Sequence, residues 1–344
     1  LIFNAVIPPL ESLMIRRSLF ASLCLLSVLG VNAWAQSPIV IKFSHVVAKD
    51  TPKGKAAEKF KELAEAATKG RVKIEVYANS TLYKDKEELE ALQLGAVQML
   101  APSMAKFGPM GVKEFELFDL PYLFTDQQSL ERVTNGSVGR EMLKKLEPKG
   151  LIGLSFWDNG FKIMSSNRPM HMPNDLKGLK LRIQASKVLD EQMRVLGANP
   201  QVMAFSEVYQ ALQTGVVDGL ENVPSNLYTQ KMHEVQKHMT VTNHGYIGYA
   251  VVVNKKFWEK LPADIRSQLE LAMKDATSYA NKIAQQENES ALDAIRKSGK
   301  TTVYTPSDAE KAEWRKIMLP VHKTMEDRIG KDLMAAASKA AAGK

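Results

Sequence analysis

Residues 262–298 read PADIRSQLELAMKDATSYANKIAQQENESALDAIRKS, with no Gly or Pro after the first position. Apolar residues recur there at nearly helical spacing, from Ile265 and Leu269 to Leu292 and Ile295. One helix of this length is on the order of 55 Å long, whereas a compact domain of about 150 residues is roughly 40 Å across. The stretch therefore predicts a helix that bridges two domains, with an exposed face at the polar residues 285–290.

Outside this helix, strand-like and helix-like segments alternate. Strands are predicted at 39–43, 72–77 and 97–100, with helices at 52–70 and 86–94. The pattern restarts after residue 160, with strands at 179–183, 201–203 and 216–220, helices from 188 and over 206–215, and an Ala-rich tail at 335–342 that is expected to fray. This alternation predicts an α/β architecture with mostly parallel sheets and a second α/β domain after residue 160.

The first 35 residues are predicted to be upstream residues plus a cleavable signal peptide. Arg16-Arg17 is followed by a short apolar stretch at 19–29, and Ala33 and Ala35 place small residues before a cut between Ala35 and Gln36. The apolar stretch is shorter than the roughly 20 residues that span a membrane. Export to the periplasm is therefore expected, with Met14 as the expected start.

Composition narrows the class of protein. Of the 344 residues 45% are apolar and 24% charged, which is typical of a folded globular chain. The net charge is +8, but no run of five like charges occurs and aromatics are only 7%, so no nucleic-acid partner is expected. The single cysteine, Cys24, lies in the predicted signal peptide, so neither a disulfide nor a thiolate metal site is expected.

Motifs for catalysis and metal binding are missing from the sequence. It contains no G-x-S-x-G elbow, no G-x-x-x-x-G-K loop and no H-E-x-x-H pair. The histidines at 45, 171, 233, 238, 244 and 322 form no recognisable ligand pair. We expect no cofactor, no metal and no enzyme. Because a pair of catalytic carboxylates cannot be recognised from sequence, an exported enzyme that acts on a small acid remains an alternative.

Several segments together resemble the periplasmic solute-binding proteins of TRAP (tripartite ATP-independent periplasmic) transporters over residues 39–334. The strongest are LKGLKLRI at 176–183, MAFSEVYQALQTG at 203–215 and VDGLEN at 217–222. The branch that binds four-carbon dicarboxylates is resembled by FSHVV at 43–47, TPKG at 51–54, FDLPYLF at 118–124 and WDNGFK at 157–162.

The resemblance implies the two-domain periplasmic binding protein fold, of the α/β class. In that fold crossing strands and one long helix join the domains, which close over a ligand in the cleft between them. Domain I is expected to comprise 36–160 and 248–287, and domain II 161–247 and 288–344.

Arg182 is the first candidate for ligand binding. In the strand 179–183 the apolar residues alternate, so Lys180 and Arg182 lie on the opposite face, near the end where a cleft opens. A guanidinium can hold one carboxylate through two parallel hydrogen bonds, which is the role that the resemblance implies. Without the flanking motifs, an exposed strand arginine would be the default interpretation.

The resemblance also implies roles for neighbouring residues. Asn222 would donate its amide to the same carboxylate, although Asn also favours turns and helix caps. Phe205 would pack against the carbon chain of the ligand or else belong to the core. Lys162 and Lys106 stand where sialic acid-binding relatives carry Arg, so each is a candidate for a second carboxylate or else a solvated lysine. Further cleft candidates are His45, Ser103, Trp157 and Asn159.

The predicted function is therefore capture of a small organic acid, namely succinate, malate or fumarate, for delivery to the small and large integral membrane subunits of a TRAP transporter. Alternatives are a keto or aromatic acid as ligand, and a sensor subunit that signals to a receptor. Sialic acid is disfavoured, because Val46 and Ser103 stand where that branch has Asn and Glu.

Overall fold

The fold is that of a computed structural model, in which residues 37–344 are described. The predicted signal peptide and its cut site lie outside the described residues. In chain order the elements are β1 (Ile39–Ser44), α1 (Pro52–Ala67), β2 (Val72–Tyr77), α2 (Glu88–Leu94), β3 (Met99–Leu100), α3 (Gln127–Thr134), α4 (Ser137–Lys144), β4 (Leu151–Phe161), β5 (Ile163–Ser166), β6 (Lys180–Ile183), α5 (Lys187–Val195), β7 (Asn199–Val202), α6 (Phe205–Gln213), β8 (Gly219–Asn222), α7 (Pro224–Thr229), β9 (His238–Thr240), β10 (Tyr246–Asn254), α8 (Lys255–Lys260), α9 (Ala263–Ser298), β11 (Thr302–Tyr304), α10 (Asp308–Met318), α11 (Val321–Ile329) and α12 (Lys331–Ala341).

Two mixed sheets organise the chain. The first has the strand order β2-β1-β3-β10-β4 and the second β11-β9-β5-β8-β6-β7. We call each sheet with its flanking helices the first lobe and the second lobe. The chain crosses from the first lobe to the second at Lys162, between β4 and β5, and returns over residues 241–245, between β9 and β10. The two-lobe α/β prediction is confirmed. The sheets were expected to be mostly parallel, but β10 and β5 each run antiparallel to both neighbours, because these strands follow the two crossings between the lobes.

Helix α9 contacts both lobes, as its length predicts. It begins after Pro262 and ends at Gly299, which adopts the left-handed conformation with φ 67°. Leu269 packs with α1 against the first sheet, and Ile295 belongs to the core of the second lobe. Residues 285–290 of the helix are exposed or half-buried, in agreement with their polarity.

The C-terminal helices pack differently from the predicted arrangement. Domain II was expected to include residues 288–344, but α11 and α12 bury Val321, Met325 and Ala337 in the apolar cluster on one face of the first sheet. Ala337 and Ala341 are buried, so the Ala-rich tail is a packed helix and not a fraying end. The reason is the apolar face of α3 and α4, which short alanine side chains cover closely.

Strand β8 lies a few residues later than predicted. A strand was expected at 216–220, whereas the structure has Gly219–Asn222. At Gly219 an added Cβ would lie 2.0 Å from the carbonyl oxygen of Ser165 on the neighbouring strand, so only glycine fits there. This register brings Asn222 to the last position of β8, at the edge of the cleft. Within residues 37–344, no helix is long and apolar enough to cross a membrane.

Candidate functional site

Two adjoining cavities lie where the carboxyl ends of the parallel strands of both lobes face each other, the usual place for ligands in such sheets. The inner cavity has a volume of about 20 Å³ and the outer cavity about 290 Å³. Asp85 and Lys106 of the first lobe and Arg182 and Gln184 of the second lobe line both cavities. These four residues are therefore shared by the linings of the two cavities.

Arg182 follows the predicted geometry of its strand. Leu181 of β6 faces the core of the second lobe, and Arg182 lies on the other side, 3% exposed. Its Nε and Nη2 donate to the carbonyl oxygen of Met203 at 3.0 and 2.8 Å, and its guanidinium lies 5.7 Å from the ring centroid of Phe205. Within residues 37–344 no carboxylate lies within 4.0 Å of it. Burial lowers the pKa of Arg182.

Asn222 lines the inner cavity beside Arg182. Its Oδ1 accepts hydrogen bonds from the backbone N–H of Val223 at 2.8 Å and from Nδ2 of Asn226 at 3.0 Å. Because the oxygen is engaged in this way, the side-chain NH₂ is the group that Asn222 can offer to a ligand.

Phe205 and Ser103 also line the inner cavity, from opposite lobes. The backbone N–H of Phe205, the first residue of α6, donates to the carboxylate of Asp85 across the cleft. Gln184 donates to the hydroxyl of Ser103 at 2.6 Å, a second bond between the lobes. The lobes are thus in direct contact around the inner cavity.

Lys106 lines both cavities but already has acidic partners. Its ammonium is paired with the carboxylates of Asp85 and Glu88, the latter at 2.5 Å. Burial lowers the pKa of Lys106, but the two carboxylates outweigh burial and hold the pKa above its ordinary value. Asp85 is buried too, yet Lys106 and Arg182 lower its pKa to about 2. The charge of Lys106 is therefore compensated within the protein.

Lys162 lies at the first crossing between the lobes and does not line either cavity. Its ammonium is 2.7 Å from Glu221, and both side chains are fully buried. Nε2 of His244, on the returning crossing, is 3.4 Å from the same carboxylate. Although burial opposes ionisation, Lys162 and His244 hold the pKa of Glu221 well below its ordinary value. The cluster ties both crossings to the end of β8.

The three remaining candidates do not line either cavity. His45 is fully buried, and burial together with Lys53 lowers its pKa to about 3. Trp157 belongs to the core of the first lobe and donates to Thr277 at 3.0 Å. Asn159 donates to the hydroxyl of Tyr249 at 2.7 Å, and Tyr249 lines the inner cavity. The structure thus does not bring these three side chains into the cavity lining.

Lys53 lines the inner cavity but was absent from the predicted site. It lies in the first turn of α1, within the TPKG segment, and is 1% exposed. Its Nζ donates to the carbonyl oxygen of Ala101 at 3.0 Å and lies 3.8 Å from the centroid of the Tyr249 ring. Burial and the charge of Lys106 lower the pKa of Lys53 to about 7. The TPKG segment was the available sequence signal, but a lysine in a first helical turn is usually exposed.

The chemistry of the inner cavity suits a small organic anion. Arg182 and Lys53 are basic side chains without a carboxylate within 4.0 Å in the described part of the chain. Hydrogen-bond donors and aromatic rings lie beside them, at Asn222, Phe205 and Tyr249. No group of three or more His, Cys, Asp or Glu side chains that could hold a metal occurs within residues 37–344.

Comparisons with known proteins agree along most of the chain. The family described as bacterial extracellular solute-binding protein, family 7, matches residues 43–328. The C4-dicarboxylate-binding periplasmic protein DctP of Rhodobacter capsulatus is 64% identical over 314 residues, which cover 91% of this chain and 94% of that protein.

Two solved structures match with similar closeness. A TRAP periplasmic solute-binding protein from Shewanella oneidensis with bound succinate has a TM-score of 0.86 and 43% identity, covering 88% of this chain and 99% of that one. One from Pseudomonas aeruginosa PAO1 with bound L-malate has a TM-score of 0.82 and 43% identity, covering 83% and 100%.

Proposed function

The chain belongs to bacterial extracellular solute-binding protein family 7, and on this premise we propose that it captures four-carbon dicarboxylates such as succinate, malate and fumarate. The predicted resemblance is thereby confirmed at the level of the family, whose members bind solutes for transport and are not enzymes. The bound succinate and L-malate of the two structural relatives support the choice of ligand.

The observation that carries the proposal is the buried guanidinium of Arg182 in a cavity between the lobes. Burying a cation without an acidic partner costs free energy, and within residues 37–344 the carbonyl oxygen of Met203 is the only hydrogen-bond acceptor of Arg182. A ligand carboxylate would supply the missing charge through two parallel hydrogen bonds. The site therefore selects an acid.

Neighbouring side chains complete the pose of the proposed ligand. The free NH₂ of Asn222 donates to the carboxylate that Arg182 holds, and the ring of Phe205 packs against the carbon chain. Because Arg182 and Asn222 belong to one lobe and Ser103 to the other, a ligand that touches all three favours closure of the lobes.

A thermal-shift screen followed by titration calorimetry tests this function. Ligand at 100 times its dissociation constant adds about 2.7 kcal/mol to the free energy of unfolding. Succinate, malate and fumarate should each raise the melting temperature, whereas butyrate should do so less. If a keto or aromatic acid is the one that stabilises the protein, the dicarboxylate assignment is wrong. Chromatography should return each acid unchanged, since turnover would indicate an enzyme.

The proposed function includes delivery of the ligand to membrane proteins. The protein delivers the captured acid in the periplasm to the small and large integral membrane subunits of a TRAP transporter. Succinate uptake by vesicles that contain those subunits should require this protein. N-terminal sequencing of exported protein should begin at Gln36 if the cut follows Ala35.

A further inference from the structure

Lys53 has a buried amino group, and few neighbouring groups compensate the positive charge that it carries when protonated. Thr51 caps α1 by accepting from the N–H of Gly54 at 3.1 Å. An added Cβ at Gly54 would lie 2.5 Å from the carbonyl oxygens of Ala48 and Lys49, so the first turn of α1 is seated directly on that loop. This close packing turns Lys53 inward. The amino end of a helix carries partial positive charge, which adds to the cost of a cation there.

In the described part of the chain, no carboxylate lies within 4.0 Å of the Lys53 amino group. Of its three donors, one has the carbonyl oxygen of Ala101 as acceptor. The carboxylates of Asp85 and Glu88 are engaged by Lys106 and lie within 4.0 Å of that lysine, not of Lys53. His45 stays uncharged, because burial and Lys53 hold its pKa at about 3.

Arg182 and Lys53 line the same inner cavity from opposite lobes. We propose that Lys53 receives the second carboxylate of the ligand and determines the preference for diacids over monoacids. This inference rests on the proposed function, in which Arg182 holds the first carboxylate. A monoacid would leave the ammonium buried and unpaired, whereas a diacid would satisfy both cations.

Proton uptake would distinguish this role from a structural one. In the free protein burial and Lys106 lower the pKa of Lys53 to about 7. A bound carboxylate raises that pKa, so binding of a diacid above pH 7 requires a proton from solvent. The affinity for the doubly ionised acid is therefore highest below pH 7, where Lys53 is protonated, and it falls as the pH rises above 7.

Other titratable groups around Lys53 respond differently. Asp85 has a pKa of about 2 and His45 about 3, and Tyr249 is raised above 10. Glu88 has a pKa raised chiefly by burial, and Lys106 one raised by its carboxylates. Substitution of Lys53 shows whether the proton taken up on binding goes to Lys53 or to Glu88.

The experiment is titration calorimetry with succinate and butyrate on the wild type and Lys53→Met at pH 6.5. The wild type should bind succinate at least about tenfold more tightly than butyrate. Lys53→Met should lose most of the affinity for succinate and keep the affinity for butyrate. The ratio of succinate affinity to butyrate affinity should then be near one. Lys59→Met, on the exposed side of the same helix, should match the wild type.

Lys53→Arg keeps a permanent cation and serves as the second variant if Lys53→Met does not fold. In the wild type succinate affinity should fall by about tenfold or more between pH 6.5 and 8.5, with proton uptake seen as a buffer-dependent enthalpy. Lys53→Arg should bind succinate without that proton uptake. A ratio that survives Lys53→Met, or succinate binding without proton uptake at pH 8.5, overturns the inference and leaves the proposed function intact. Failure of the wild type to bind any diacid overturns both.

Discussion

The ammonium of Lys162 lies 2.7 Å from the carboxylate of Glu221, with both side chains excluded from solvent at the crossing between the lobes. This pair does not line either cavity. Removing one partner of a buried ion pair leaves an uncompensated charge, at a cost of about 3–5 kcal/mol.

We therefore expect Lys162→Met to lower the free energy of unfolding by about 3–5 kcal/mol in urea denaturation. The double variant Lys162→Met/Glu221→Gln should recover part of the loss. Lys323→Met, which removes an exposed pair with Glu326, should change stability by less than about 1 kcal/mol. Loss of succinate binding at unchanged stability would instead support a ligand contact for Lys162.

Arg182→Lys tests the two parallel hydrogen bonds that Arg182 is proposed to donate to the first carboxylate. The charge is kept, but an ammonium cannot reproduce the planar fork of donors. Succinate affinity should fall by about 2–5 kcal/mol in titration calorimetry, which is at least roughly thirtyfold. Arg194→Lys, at an exposed pair with Asp190, is the matched control and should bind as the wild type does. Near wild-type affinity in Arg182→Lys would remove this residue from the site.

Asp119 predicts a pH dependence of stability. Burial raises its pKa to about 7, well above the ordinary value near 3.8 in an unfolded chain. The folded protein thus holds this proton more tightly, so the free energy of unfolding falls as the pH rises from about 4 to 7.

Asp119→Asn removes this buried charge and should be more stable than the wild type at pH 8, by about 1–3 kcal/mol. Thermal melts at pH 5 and pH 8 measure the difference. In Asp119→Asn the loss of stability between pH 5 and pH 8 should be smaller than in the wild type. It should not be zero, because burial also raises the pKa of Asp158, to about 6. An equal change of stability between pH 5 and pH 8 in the variant and the wild type would show that Asp119 does not titrate in this range.

Ligand-dependent closure is a further prediction. Succinate touching both lobes should shift the population toward the closed form and lower the radius of gyration measured by X-ray scattering. Arg182→Lys at the same succinate concentration should remain close to the free state. An unchanged radius at saturation, with binding shown by calorimetry, would indicate a rigid site.

Local signals explain how much was predictable from sequence. Pro262 and Gly299 bound α9 within one residue of the prediction, because helix ends depend on nearby residues. Alternation in β6 placed Arg182 on the correct face for the same reason. Lys53 could not be found in this way, since its burial depends on the loop beneath Gly54 and on Tyr249 from a distant strand. The acidic partners of Lys106 and Lys162 likewise come from other segments.

Two hydrogen bonds that join the lobes beside the inner cavity bear on how fast the proposed ligand can leave. They run from the backbone N–H of Phe205 to Asp85 and from Gln184 to Ser103, and these residues line the inner cavity. Separation of the lobes breaks both bonds. A ligand held between Arg182 of one lobe and Lys53 of the other is released by that separation, so the rate of opening limits its dissociation rate. Residence time is then a property of the contacts between Asp85 and Phe205 and between Gln184 and Ser103, as well as of the ligand.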